Sequence, residues 1–183
     1  MAGKSALIMG FGRIGQRVGA LCRALGLRVA AFDPYMERSP VEGVEMVKDF
    51  RAILPETDFL CLHLPSTPET RDLIGAGELA LLKRGAFVLN CARGGIVDED
   101  VLCDALESGH LGGAGLDVFA KEPPDTAHRL FRQEKVLLSP HNAALTEECA
   151  IRMATQAVQN VLDCLDGKLQ PRVVMNRREI GMA

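Results

Sequence analysis

The chain has 183 residues, 48% hydrophobic and 25% charged, with a formal net charge of −3. That length predicts one principal domain, with room for a small appendage and a core that needs no staples. The slight acidity argues against a general binder of nucleic acid or anionic membrane, and no apolar run approaches the ~18 residues needed to cross a bilayer.

The elements alternate between strand and helix. Ala6-Leu7-Ile8-Met9 reads as a strand and runs into Gly10-Phe11-Gly12-Arg13-Ile14-Gly15, a G-x-G-x-x-G turn that opens a helix reaching Leu25. Gly10 suits the sharp turn, Gly12 lets a pyrophosphate approach the backbone, and Gly15 lets the helix pack on the sheet. The helix carries Ile14, Val18, Leu21, Cys22 and Leu25 on one apolar face, and Gly26 stops it. A second strand over Leu27 to Phe32 ends in Asp33, eighteen residues past Gly15. That is near the distance expected for the acid that holds ribose hydroxyls.

Val44 to Leu54 is expected to be a short strand and a helical turn or two, closed by Pro55. Asp58 to Leu64 reads as a buried strand ended by Pro65, and Ser66 to Arg71 as a polar loop. Gly77 to Lys83 is a short helix, Ala86 to Asn90 a strand, and Cys91 to Val97 a loop into a helix over Glu99 to Glu107. Asp98 is a good N-cap for that helix, and Glu99 and Asp100 suit its first-turn dipole. Gly113 to Phe119 and Val136 to Leu138 are the last strands, separated by an irregular stretch from Pro123-Pro124. Thr146 caps a final helix with the apolar face Ile151, Ala154, Val158, Val161 and Leu165, and a basic tail over Arg172 to Arg178 follows Gly167.

This order predicts an α/β fold: a doubly wound, parallel Rossmann sheet with helices on both faces. The expected division is a dinucleotide-binding domain over 1–169 and a tail over 170–183. Ligands of open parallel sheets sit beyond the carboxyl ends of the strands. Asp33, His63, Arg93, Asp117, Glu122 and His141 all follow predicted strands, so they are expected along one edge.

Arg93, Glu122 and His141 suit hydroxy-acid chemistry. A hydride leaving or joining a carbinol carbon needs a group that takes or gives the hydroxyl proton, and histidine does this near neutral pH. A carboxylate beside the imidazole orients it, and an arginine offers a fork to a substrate carboxylate. Structural alternatives stay open on spacing alone. His141 also suits the approach to the last helix, Glu122 a solvated loop charge, and Arg93 a pair with Asp98. Covalent catalysis by Cys91 with His141 is a further, weaker reading. Glu122, Asp125 and His128 show no recognised metal-ligand spacing, so no metal site is expected. The six cysteines, Cys22, Cys61, Cys91, Cys103, Cys149 and Cys164, contain no C-x-x-C pair. Reduced, mostly buried thiols in a cytoplasmic protein are expected. Met1-Ala2-Gly3-Lys4-Ser5, followed directly by a strand, gives no sign of a secretory signal.

Taken together, several motifs resemble the cofactor domain of the D-isomer-specific 2-hydroxyacid dehydrogenases. They are the Gly10–Gly15 turn, Asp33-Pro34, His63-Leu64-Pro65 with Thr67 and Thr70, Asn90 to Asp98, Gly115 to Phe119 with Glu122-Pro123, and Pro140-His141. The resemblance implies an NAD-dependent oxidation of a D-2-hydroxy acid to a 2-keto acid. Arg93 would bind and polarise substrate, His141 would act as general acid/base, and Glu122 would orient it. Within the cofactor-binding turn of Gly10, Gly12 and Gly15, the backbones at Arg13 and Ile14 would hold the pyrophosphate, and Asp33 would take the adenosine ribose and disfavour the extra phosphate of NADP. Leu64 and Thr70 would border the cofactor, while Cys91, Ala92, Arg93, Asp117, His141, Asn142, Ala143 and Ala144 would surround its nicotinamide. It also implies a homodimer.

Only nine residues precede Gly10, where family members carry a sizeable substrate-binding segment. The lobe that closes over substrate is therefore expected to be missing from this chain, and the tail from Gln170 to lie where the family returns into that lobe. A second class of function comes from that departure: an NAD-binding module with little turnover, serving in redox sensing or partner binding. The identity of the 2-hydroxy acid is not readable.

Overall fold

β1 (Ser5–Met9) is buried along nearly its whole length, because neighbours cover it on both sides and both faces. The computed structural model describes residues 1–177 and 179–181. In the sheet, β1 is flanked by β2 (Arg28–Phe32) and β4 (Phe59–Leu62). The full order is β3-β2-β1-β4-β5-β6-β7, all parallel, with β3 (Val44–Met46), β5 (Phe87–Asn90), β6 (Gly113–Leu116) and β7 (Val136–Leu138). This is the expected doubly wound architecture, and strand order reverses between β1 and β4.

The register sets where the polar residues emerge. Phe32, Met9, Leu62, Asn90, Leu116 and Leu138 pair in one row across six strands. The next residue in each chain segment, Asp33, Gly10, His63, Cys91, Asp117 and Ser139, therefore leaves the sheet at the same edge.

Side chains of β1 alternate between two cores, as the pleat requires. Leu7 and Met9 join the larger one, with Leu60, Leu62, Val88 and Leu102. Ala6 and Ile8 join the other, with Phe11, Val29, Ala31 and Cys61, beneath α1 (Arg13–Ala24). The face that α1 buries differs from the apolar stripe read from periodicity. Gly15 and Gly19 are its buried residues. Ile14, Leu21 and Leu25 are 67%, 65% and 57% exposed, and only Val18 and Cys22 lean on the core. The cause is close approach: a Cβ on Gly19 would lie 3.1 Å from the Phe11 ring and 3.3 Å from Ile8. The helix presses its side-chain-free face onto the sheet, and its larger apolar residues turn outward.

α3 (Glu99–Glu107) has the expected bounds, because the Asp98 carboxylate accepts from the amides of Asp100 and Val101. α2 is Ala76–Leu81. Pro55 lies inside a single 3₁₀ turn, Leu54–Glu56, instead of closing a helix, since proline is tolerated in a first turn. A 3₁₀ turn over Arg129–Arg132 interrupts the stretch expected to be irregular. All six cysteines are free, but only Cys61 and Cys103 are buried, so the expectation of mostly buried thiols fails.

The chain forms two compact units, Met1–His141 and Asn142–Ala183. The second contains α4 (Glu147–Leu165), capped by Thr146 as expected. None of its residues is buried, and the predicted apolar face stands open, with Ile151, Val158, Val161 and Leu165 exposed. Arg178, the end of the basic tail, lies outside the described residues, as do 182 and 183.

Candidate active site

Two constellations stand at the carboxyl edge, one on each side of the strand-order reversal.

On the β1–β2 side, the three glycines of the turn differ in what they do. Gly10 has φ +86°, a left-handed conformation that disfavours side chains, and a Cβ there would lie 2.5 Å from the carbonyl oxygen of His63. A Cβ on Gly15 would lie 2.1 Å from the Gly10 carbonyl. Gly12 is open, with nothing within 4 Å of where a Cβ would stand. It is the N-cap of α1 but supplies no side-chain cap, and the first turn holds no acid. The amino end of α1, at Arg13 and Ile14, thus keeps its partial positive charge and donors for an anion. Asp33 braces this turn. One oxygen accepts from the Phe11 amide at 2.9 Å and the other from the Tyr35 amide at 3.0 Å. These residues fit a dinucleotide phosphate: two glycines close the turn and the third leaves its approach clear.

Leu64 is buried just past β4. Thr70 is spent within its own loop, its hydroxyl donating to the Pro65 carbonyl at 2.7 Å and accepting from the Thr67 amide at 2.8 Å. Burial pulls the His63 imidazole below its usual pKa, and its Nε2 is buried with no partner among the described residues. It is a neutral ring and a poor candidate for proton exchange.

On the β5–β7 side, Asn90 organises the loop that carries Arg93. Its buried side chain accepts from the Ala92 amide at 3.1 Å and donates to the Arg93 carbonyl at 2.9 Å. Arg93 is exposed, and its guanidinium donates to the Ala92 carbonyl at 2.6 Å. It does not pair with Asp98, which is occupied in capping α3. Gly94 packs against the next loop so closely that a Cβ would lie 1.7 Å from the Phe119 carbonyl oxygen. That contact joins the Arg93 loop to the segment bearing Glu122.

Glu122 is no free surface charge. Its Oε1 accepts from the Phe119 amide at 3.1 Å, and its Oε2 lies 2.8 Å from His141 Nδ1. The His141 and Phe119 hydrogen bonds hold its carboxyl below the usual range, so it is ionised at neutral pH. An ionised carboxylate only accepts, so Nδ1 carries the proton and Nε2 is the ring atom left for exchange. His141 has φ +54°, a left-handed conformation uncommon for a residue with a side chain and often found where function demands it. The pair borders an apolar cavity of about 340 Å³, walled by Phe119, Pro124, Phe131 and Leu138 among others. The Ser139 hydroxyl donates to Asp117 at 2.5 Å, tying β7 to β6 at the same edge.

Cys91 is exposed, but partial burial and the nearby Asp117 charge push its thiol pKa up. A thiol of that kind is not an activated nucleophile, which removes the support for covalent catalysis by this residue. Asn142, Ala143 and Ala144 begin the second unit, in the turn before α4, where the Leu145 amide donates to the Asn142 carbonyl. No group of three or more His, Cys, Asp or Glu residues among those described is arranged to hold a metal. No helix among them is long and apolar enough to cross a membrane.

Asn90 and Gly94 stand in the Asn90 to Asp98 motif, which gave neither a role, and Ser139 was not singled out. For Asn90 a further signal was a lone asparagine ending an apolar strand. The other two act through contacts that no local pattern encodes.

A glycine turn closed by Gly10 and Gly15, an acid after β2 and a parallel doubly wound sheet define a dinucleotide-binding domain of the Rossmann class. Residues 1–143 match the D-isomer specific 2-hydroxyacid dehydrogenase, NAD binding domain family, and the chain belongs to that family, with NAD as its cofactor. It is 40% identical over 174 residues to a D-3-phosphoglycerate dehydrogenase of Methanocaldococcus jannaschii, covering 94% of this chain and 33% of that protein. It is 40% identical over 179 residues to a glyoxylate reductase of Aeropyrum pernix, covering 95% and 52%. An NAD-complexed D-isomer specific 2-hydroxyacid dehydrogenase from Lactobacillus delbrueckii ssp. bulgaricus has the same fold, with a TM-score of 0.84 and 30% identity over 94% of this chain and 56% of that one. The chain thus spans between a third and about half of the relatives it matches.

Proposed function

We propose that this chain supplies the cofactor and proton-transfer half of an NAD-dependent oxidoreductase that interconverts a D-2-hydroxy acid and a 2-keto acid. The observation that carries the reading is the 2.8 Å contact between the ionised Glu122 and His141 Nδ1, beside the Arg93 loop. The names of the relatives, dehydrogenases and reductases alike, favour this over an NAD-binding module without turnover.

In this reading Arg93 binds the substrate carboxylate and polarises the carbonyl, because its fork fits a planar anion. In the oxidative direction His141 takes the hydroxyl proton at Nε2, and the ring becomes an imidazolium. Glu122, already hydrogen-bonded to Nδ1, offsets that charge without moving. In reduction the same proton returns to the alkoxide. NAD, when bound, supplies the hydride acceptor. Gly10 and Gly15 would shape the turn, Gly12 would leave room, the backbones at Arg13 and Ile14 would hold its pyrophosphate, and Asp33 would take its adenosine ribose. Leu64 and Thr70 would border the cofactor. Cys91, Ala92, Asp117 and the segment over 142–144 would lie by the nicotinamide. Thr70 has the weakest support, since its hydroxyl is committed to its loop.

The substrate lobe, in this reading, is supplied by protein outside these residues, and the tail from Gln170 is the return toward it. A homodimer is in keeping with the open apolar face of α4. Six free thiols accord with a cytoplasmic setting. The test is oxidation of NADH by a panel of small 2-keto acids. His141→Asn should lower turnover by about 10²–10⁴-fold while NAD still binds. Undiminished turnover in that variant overturns the assignment.

A further inference from the structure

Glu122 stands on a segment with little secondary structure of its own. Between Phe119 and Gln133 the chain forms one 3₁₀ turn, Arg129–Arg132, and is otherwise irregular. What ties it down is α3. That helix turns Leu102, Cys103 and Leu106 into the core. Asp100, Asp104 and Glu107, spaced i, i+4 and i+7, share its outer side. Arg129 reaches all three. It lies 3.6 Å from the Asp100 carboxylate, in direct contact with Asp104 and 3.6 Å from Glu107, and it also donates to the Asp100 carbonyl. His128 lies 3.3 Å from Asp100, and Gln133 donates to Glu107 at 2.7 Å. At the other end of the segment, Glu99 in the first turn of α3 accepts from the Ala120 amide at 2.6 Å. Both ends are thus fastened to one helix.

The two fastenings converge on one residue. Ala120 follows Phe119, whose amide donates to Glu122 Oε1. Phe131, two residues past Arg129, stacks on Phe119 with ring centroids 5.8 Å apart. A shift at either end therefore reaches Glu122 through Phe119. We propose that Glu99 and Arg129 are positioning residues for the proton-transfer pair: through them α3 holds the segment so that the Glu122 carboxylate stays on His141 Nδ1. This rests on the proton-transfer role proposed for Glu122 and His141. Ion pairs as open to solvent as those of Arg129 add little to stability. Their effect lies in geometry, where a misplacement of about 1 Å can cost about 10²-fold in rate.

The test reads that geometry by NMR of the chain with isotopically labelled histidine, since the ring-nitrogen shifts show which nitrogen carries the proton, and the partner of the ring sets that choice. The proteins are wild type, Glu99→Ala, Glu99→Gln, Arg129→Ala, Arg129→Lys and the double alanine variant, each checked by a thermal melt and an NAD titration. In wild type the His141 proton should sit on Nδ1. Each alanine variant should move part of the ring population to the Nε2–H form, and the double variant more, with the fold intact and NAD affinity within about twofold of wild type. Arg129→Lys, which keeps the charge but not the fork, should recover part of the loss. Glu99→Gln, which keeps an acceptor for the Ala120 amide, should recover nearly all of it. In turnover of 2-keto acids, the alanine variants should lose about 3–10-fold in kcat with KM nearly unchanged. Added salt should carry wild type toward Arg129→Ala and leave that variant unmoved, because exposed pairs are screened. A folded double variant with the wild-type proton position overturns the proposal. If the double variant does not fold, a wild-type proton position in both single alanine variants does the same. Wild type with no proton on Nδ1 would overturn the underlying pair, a result distinct from either of these.

Discussion

The two halves of the carboxyl edge are held in different ways. The β1–α1–β2 half is fixed by main chain and by absent side chains: Gly10 and Gly15 each fill a space that has no room for a methyl group, and Asp33 pins the turn through amides. The β5–β7 half is fixed by side chains, through the Asn90 fork, the Ser139–Asp117 bond and the half-exposed Glu122–His141 pair. The first geometry is held by close backbone approach and by the two amide hydrogen bonds to Asp33. The second can lose a single hydrogen bond and keep its fold. Under the proposed function, phosphate binding asks for a fixed cradle and proton transfer for a group whose charge changes, and the two halves differ in that sense.

The sharpest way to break this contrast is to add one methyl group to the rigid half. Gly15→Ala should cost at least about 3 kcal/mol and remove NAD binding, because its Cβ meets the Gly10 carbonyl, whereas Gly12→Ala should keep the melting temperature and weaken NAD alone. A melt and a titration on both variants separate the two effects, and equal loss of stability would contradict the assigned packing. In the other half, Glu122→Gln should lower turnover by about 10–100-fold with NAD affinity and stability nearly unchanged. A collapse of stability would instead make Glu122 a folding residue.

The pH dependence of that pair has a definite sign. The folded pKa of Glu122 is depressed, so the pair is intact at neutral pH and is lost as pH falls through that value, below the ordinary glutamate pKa of about 4.3. The smallest effect is expected at the opposite edge of the sheet. There Asp58 is buried, which raises its pKa, but hydrogen bonds from Lys83, Lys4 and Ser5 outweigh that and leave it well below the usual range. Its stabilisation is therefore full above about pH 4 and lost on acidification. Asp58→Asn should cost about 1–2 kcal/mol, at the low end because both lysines are half-exposed, and should flatten the acid limb of the stability curve. An unchanged acid limb would contradict it.

Much of this was legible in the chain because the signals were local. Asp98 followed by two acids gave α3 its start, and Thr146 did the same for α4. The glycine turn, Asp33 and the strand-end polar residues gave the edge. What stayed hidden depends on distance between elements. Hydrophobic periodicity put Ile14, Leu21 and Leu25 against the sheet, yet the helix docks on Gly15 and Gly19, since periodicity counts apolar side chains and is blind to their absence. Burial of the cysteines was overestimated too: Cys91, just past β5, and Cys164, within α4, stand exposed. Asn90 and Gly94 make contacts through folded loops, and no spacing rule reports those.

The Phe119 carbonyl seated on Gly94 carries one more implication. With no slack at that junction, the two loops behave like meshed teeth, and neither can tilt without driving the other. A substitution that shifts the Arg93 loop is therefore expected to shift the segment that carries Glu122 as well. Efforts to change substrate preference from the arginine side should accordingly be judged by turnover as much as by KM.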